Sequence, residues 1–96
     1  MSLLQDKQDA RDRAERAQEN AARLRLAEDH LRTAAALIAA TAWDMIGDDS
    51  QTGFGLTICG GRDRARHLGR ECGRWARDEE DRRDSAAADA SPLELR

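Results

Sequence analysis

The sequence predicts an all-α fold in which a long N-terminal helix and an antiparallel second helix form a helical hairpin. Three observations lead there. Aromatic residues make up only 3% of the chain, with one proline and no tyrosine, so strands and tight sheet turns have little to be built from. Charged residues reach 36%, which suits solvated helix faces. Most telling, small apolar residues recur at alternating spacings of four and three along most of the chain. A chain of 96 residues suffices for one domain, and buries only about 60–65% of the surface it exposes when unfolded. Its core must be thin, or shared with a second copy.

The first helix is expected over residues 3–46. Its seam is Ala10, Ala14, Ala17, Ala21, Leu24, Glu28, Leu31, Ala35, Ile38, Ala42 and Met45, the a/d pattern of a heptad repeat over about five heptads, with no interrupting proline. Acid-to-arginine pairs four residues apart (Asp9 with Arg13, Asp12 with Arg16, Glu19 with Arg23, Glu28 with Arg32) support it, each by roughly 0.2–0.5 kcal/mol. Between Ala10 and Ala21 the seam is alanine alone, which contributes little burial but lets a partner backbone come close. Past Leu31 the flanking Ala34, Ala36, Leu37, Ala39, Ala40, Trp43 and Ile46 widen the apolar surface, and burial on most sides is expected there.

Gly47-Asp-Asp-Ser50 supplies a stop, and the turn is placed at 47–52. The glycines that follow do not form a phosphate cradle. Gly53-x-Gly55 follows a helix rather than a strand and lacks a third glycine in register, and no Gly-Lys-Ser/Thr occurs. They fit a second helix, expected over 53–83, whose seam is Phe54, Ile58, Gly61, Ala65, Leu68, Cys72 and Trp75. Beside it runs a row of small residues, Gly61, Ala65, Gly69 and Gly73, flattening one face for close packing.

Folding back near Asp49 opposes residues whose numbers add to roughly 100. Ala65 then lies near Ala35, Leu68 near Leu31, Trp75 near Leu24 and Leu56 near Trp43. Glu28, the one charge in the first seam, comes within reach of Arg70 or Arg74. The acidic Asp78–Asp81 run opposes the negative end of a helix dipole, so the helix is expected to end soon after it. The domain is placed at 1–84, with 85–96 a disordered tail.

Net charge is −3, but its distribution carries more information. The stretch 62–77 is rich in arginine and 78–96 in acids. Arg62, Arg66, Arg70, Arg74 and Arg77 recur along one side of the second helix, and are the candidate partner-binding residues. Such a stripe grips an acidic protein surface or tracks a phosphate backbone, and no aromatic residue interleaves it to stack bases. It also reads as a solvated face paired to Asp63, Glu71 and Asp78.

Asp63, His67 and Glu71 form a row at four-residue intervals, best explained as a surface charge ladder rather than a metal site. Cys59 and Cys72 lie about 20 Å apart on a continuous helix, too far for a disulfide or a shared zinc ion with His67. His30 beside the first seam is expected to be a pairing or interface residue. No nucleophile–base–acid set is visible, so no catalytic residue, metal or cofactor is expected and the chain is read as non-enzymatic.

No apolar run approaches the ~20 residues of a membrane span, and no leader pattern opens the chain, so no membrane association and a cytoplasmic location are expected. All but one of the 16 basic residues are arginine, which points to a GC-rich coding genome, bacterial or from a phage or plasmid.

The first helix outruns the second on this reading, leaving residues 3–16 uncovered. A homodimer forming a four-helix bundle would cover them, with Ala10, Ala14, Leu37, Trp43 and Ile46 at its interface. The function expected is a small helical regulator, adaptor or inhibitor acting by protein–protein contact. The alternative is a nucleic-acid-binding hairpin dimer that uses the arginine stripe on phosphates.

Overall fold

The computed structural model describes residues 2–46 and 52–91, the side chains of 45, 46 and 52–56 excepted. Among these residues it is all-helical, with two helices and no strand, consistent with a helical hairpin. Helix α1 spans Leu3–Ile46, the expected span, and helix α2 spans Thr52–Ala90. Residues 47–51 of the expected turn, and 92–96 of the expected tail, lie outside the described residues. The chain divides into two compact units, one of residues 1–24 with 74–96 and the other of residues 25–73.

The start of α1 is a serine cap. The backbone N–H of Gln5 donates to Ser2 Oγ at 3.1 Å, satisfying one of the donors that the first turn leaves without a helical partner. Along the next turns the expected acid–arginine pairs are replaced by amide–carboxylate bonds. Gln5 Nε2 donates to Asp9 at 2.9 Å, and Gln8 Nε2 donates to Asp12 at 3.0 Å. Glu28 with Arg32 does form, at 3.6 Å.

In the unit of residues 1–24 and 74–96, the buried side chains are Ala10, Ala17, Ala21, Ala76 and Ala86. Its two helical segments run antiparallel in the expected register, with Asn20 meeting Glu79 at 3.5 Å and Arg83 Nη1 donating to Gln18 Oε1 at 2.6 Å. The expected end of the second helix near 83 is corrected here. Residues 85–90 continue the helix, because Ala86 packs into the alanine seam and α1 supplies cations for the helix end. Lys7 Nζ donates to the carbonyl oxygens of Asp89 and Ser91 at 2.7 and 2.8 Å, and Arg13 lies 3.6 Å from the Asp89 carboxylate. A cation over the last carbonyls is favourable against the helix dipole and occupies acceptors that have no helical donor.

That extension also corrects the idea that residues 3–16 lack an internal partner. Ala10 is 1% exposed within a single chain, and Ala14 is half-buried.

In the unit of residues 25–73, the buried side chains are Ala35, Ala42 and Ala65, with Gly69 and Gly73 buried beside them. The first seam is as expected at every position whose side chain is described: each is buried or half-buried. The second seam is not. Beyond Ala65 it follows the small row through Gly69 and Gly73. Leu68 and Trp75, expected at its centre, are 45% and 49% exposed. Opposite Gly69 and Gly73 the first helix presents Leu31 and Glu28, whose side chains fill the space between the helices, so α2 has room there only for residues without a side chain and its larger ones turn to the flank.

A Cβ placed on Gly69 would lie 3.5 Å from Leu31 Cβ; Leu31 thus faces a glycine rather than Leu68. The expected seam positions Phe54 and Met45, and the pairing of Leu56 with Trp43, fall outside the described side chains.

Candidate functional site

Helical periodicity places Arg66 and Arg70 one turn apart on α2, just off the small-residue seam, where neither long side chain fits. Ala65 and Gly69 beneath them are small enough for α1 to close in, and α1 brings Arg32 to the same place. The result is a shallow groove of about 320 Å³ in the unit of residues 25–73. Its floor is Ala35, Ala36, Ala65 and Gly69, and its polar rim is Glu28, Arg32, Arg66 and Arg70.

The groove's one carboxylate is already engaged. Glu28 accepts from Arg25 Nη1 at 3.2 Å and lies 3.6 Å from Arg32. This corrects the expectation that Arg70 or Arg74 would reach it: the pairs come from its own helix, at three- and four-residue spacing, because α2 offers it a glycine instead. A Cβ at Gly73 would overlap the Glu28 carboxylate, so the absent side chain is what lets the charge lie against α2. Arg66 and Arg70 are exposed and, among the described residues, form no ion pair. Three guanidinium groups over an apolar floor, with one carboxylate already shared, leave an excess of positive charge.

The other candidate residues are distributed differently. Arg62 is half-buried and bonded to its neighbour Asp63, Nη2 to Oδ1 at 2.9 Å. Arg74 and Arg77 are exposed and belong to the unit of residues 1–24 and 74–96. Of the expected interface residues, Leu37 and Trp43 stand 65% and 79% exposed, and the side chain of Ile46 lies outside the described residues. The expectation of burial on most sides near this end of α1 is therefore corrected: one face of α1 is covered and the rest is open.

His30, Asp63 and His67 are exposed, and no group of three potential ligands among the described residues is placed to hold a metal ion. Cys59 and Cys72 are half-buried free thiols. No helix among the described residues is long and apolar enough to cross a membrane.

Sequence reasoning missed Arg32 as a member of the site. The signal was present, since the fold-back register sets residue 32 opposite 68, midway between Arg66 and Arg70. Comparison with known proteins adds no constraint: no family model matches the chain, and neither curated proteins nor solved structures give a significant match.

Proposed function

We propose that this chain is a small non-enzymatic interaction protein, a regulator, adaptor or inhibitor. It acts by protein–protein contact through Arg62, Arg66, Arg70, Arg74 and Arg77, and works in the cytoplasm of a bacterium or from a phage or other mobile element. The observation that carries this reading is the pair Arg66 and Arg70, exposed and without an ion pair among the described residues, over an alanine floor. Guanidinium groups in that setting recognise carboxylates in fork geometry, while the floor accepts an apolar side chain. A homodimer that completes a four-helix bundle over Leu37 and Trp43 belongs to the same reading, since exposed large apolar side chains on one helix are what such a bundle covers.

The experiment is capture from a bacterial lysate by immobilised wild-type chain and by the Arg66→Ala, Arg70→Ala, Arg74→Ala triple variant, with helicity checked by circular dichroism. Loss of a specific captured protein at unchanged helicity supports the reading. Unchanged capture removes the arginines from it. The second reading, phosphate-backbone binding, is favoured by the one-turn spacing of the exposed arginines. It predicts duplex affinity that falls by orders of magnitude between low and physiological salt, whereas a packed protein interface tolerates that change better.

A further inference from the structure

We propose that the groove of Arg32, Arg66 and Arg70 binds a small phosphate monoester, with the phosphoryl group among the three guanidinium groups and the organic part on the alanine floor. This goes beyond the protein-contact reading and does not depend on it.

Charge singles out this groove. Exposed arginines without an ion pair among the described residues occur elsewhere too, Arg11, Arg16 and Arg23 among them. They do not give a groove an excess of positive charge. In the unit of residues 1–24 and 74–96, the groove that includes Arg16 sets Arg13, Arg16 and Arg82 against Glu79, Asp81 and Asp89, an even balance. Another groove of that unit sets Asp6, Asp9 and Asp89 against Lys7 and Arg13, and a third is edged by Glu15 and Glu19 alone. Among these grooves of described residues, the one in the unit of residues 25–73 is where cations outnumber acids.

The rim selects a dianion. Three guanidinium groups against the carboxylate of Glu28 leave two positive charges, and Glu28 is shared with Arg25 as well. A phosphate monoester carries about −1.5 to −2 at neutral pH, whereas a carboxylate carries a single charge. Direction matters as much. Arg32 approaches from α1, and Arg66 and Arg70 from α2, about 6 Å apart along its axis, so donors come from both walls. A phosphoryl group points three acceptor oxygens in different directions and can meet all of them, while a planar carboxylate accepts in one plane.

The floor selects an ester over free phosphate. Ala35, Ala36, Ala65 and Gly69 offer no polar side-chain atom, so an apolar group laid on them removes methyl surface from water. At about 320 Å³ the groove lies at the lower end of small-molecule sites, with room for one ring-sized group. An ester bound there occupies the guanidinium groups that the proposed protein contact uses, so the two compete.

The test is titration calorimetry on the full chain with phenyl phosphate, inorganic phosphate, benzoate and a short DNA duplex as probes, and with helicity checked by circular dichroism. The samples are wild type, the Arg66→Ala, Arg70→Ala variant, Arg32→Ala, and an Arg11→Ala, Arg23→Ala control that removes two exposed arginines outside the groove. The expected result is one phenyl phosphate per chain, bound roughly tenfold or more tightly than benzoate or inorganic phosphate. Affinity should fall roughly tenfold or more in the Arg66→Ala, Arg70→Ala variant and several-fold in Arg32→Ala, at unchanged helicity, and stay as wild type in the control.

Absence of phenyl phosphate binding at millimolar concentration overturns the inference. So does benzoate binding equally well, which removes the preference for a dianion, or an equal loss in the control, which reduces the effect to diffuse charge. Inorganic phosphate binding as tightly as the ester overturns the role of the floor. Capture of a protein through Arg66 and Arg70 without ester binding overturns this inference and leaves the interaction reading standing. Duplex binding through the same arginines without ester binding overturns it in favour of the phosphate-backbone reading.

Discussion

Alanine substitutions at Gly69 and Gly73 should have opposite effects on stability, although both glycines are buried and lie one turn apart in α2. Replacing a helix-interior glycine by alanine contributes about 1 kcal/mol from backbone propensity alone. At Gly69 the new methyl meets Leu31 Cβ at 3.5 Å and the Glu28 carbonyl oxygen at 3.9 Å, both ordinary contacts, so nothing has to move. A buried methyl adds up to about 0.8 kcal/mol, and Gly69→Ala should stabilise by roughly 1–2 kcal/mol. At Gly73 the methyl would take the place of the Glu28 carboxylate, which must withdraw. Its side chain is only 15% exposed and bonded to Arg25, so withdrawal forfeits a charge-assisted bond of about 1.5–3 kcal/mol and outweighs the propensity gain. Gly73→Ala should therefore destabilise by about 1 kcal/mol.

The double variant Glu28→Ala, Gly73→Ala should be more stable than Glu28→Ala alone, because the methyl then has room. Urea unfolding followed by circular dichroism, at one protein concentration throughout, reads all four chains. Equal stabilisation at both glycines would refute the claim that Glu28 occupies the side-chain space of Gly73. Destabilisation at Gly69 would refute the register.

Lys7→Ala should fray the last turn of α2, because it removes the donor to the Asp89 and Ser91 carbonyls. Amide exchange over residues 86–91 should quicken by a few-fold, equivalent to about 0.5–1 kcal/mol, with little change over 60–75. Ala76→Leu should destabilise by about 1–3 kcal/mol in the same unfolding assay, since that side chain is 0% exposed and a larger one has no open space to enter. A neutral result would mean that the helices can separate to admit a larger side chain.

The two-helix architecture and the whole described seam of α1 were legible because both depend on local pattern. A repeat of four and three needs only the geometry of one helix. The second seam departs from its hydrophobic pattern after Ala65 because hydrophobicity ranks Leu68 and Trp75 above Gly69 and Gly73, whereas the space left by Leu31 and Glu28 of the first helix ranks them below. Similarly, the helix was expected to stop after Asp78–Asp81 on dipole grounds that apply to a terminus. That run lies inside α2, and the helix end gets its cation from Lys7, more than eighty residues away in sequence. Glu28 shows the same limit: its spacing from Arg25 and Arg32 was readable, but the preference for them over Arg70 depends on a glycine across the interface.

The distribution of side-chain size bears most directly on the proposed association. Among the described residues every buried side chain is an alanine, while Leu26, Leu37, Trp43, Leu68 and Trp75 are exposed. A methyl group buries far less apolar area than leucine, which contributes about 1.5–3 kcal/mol when fully buried, so an alanine seam yields little stability per residue. What it yields is closeness, which lets short bonds such as Arg83 to Gln18 bridge the helices. With only alanines fully buried and both tryptophans exposed, the described residues gain little hydrophobic stabilisation from their buried positions. Those exposed side chains are the apolar surface that the proposed association would cover.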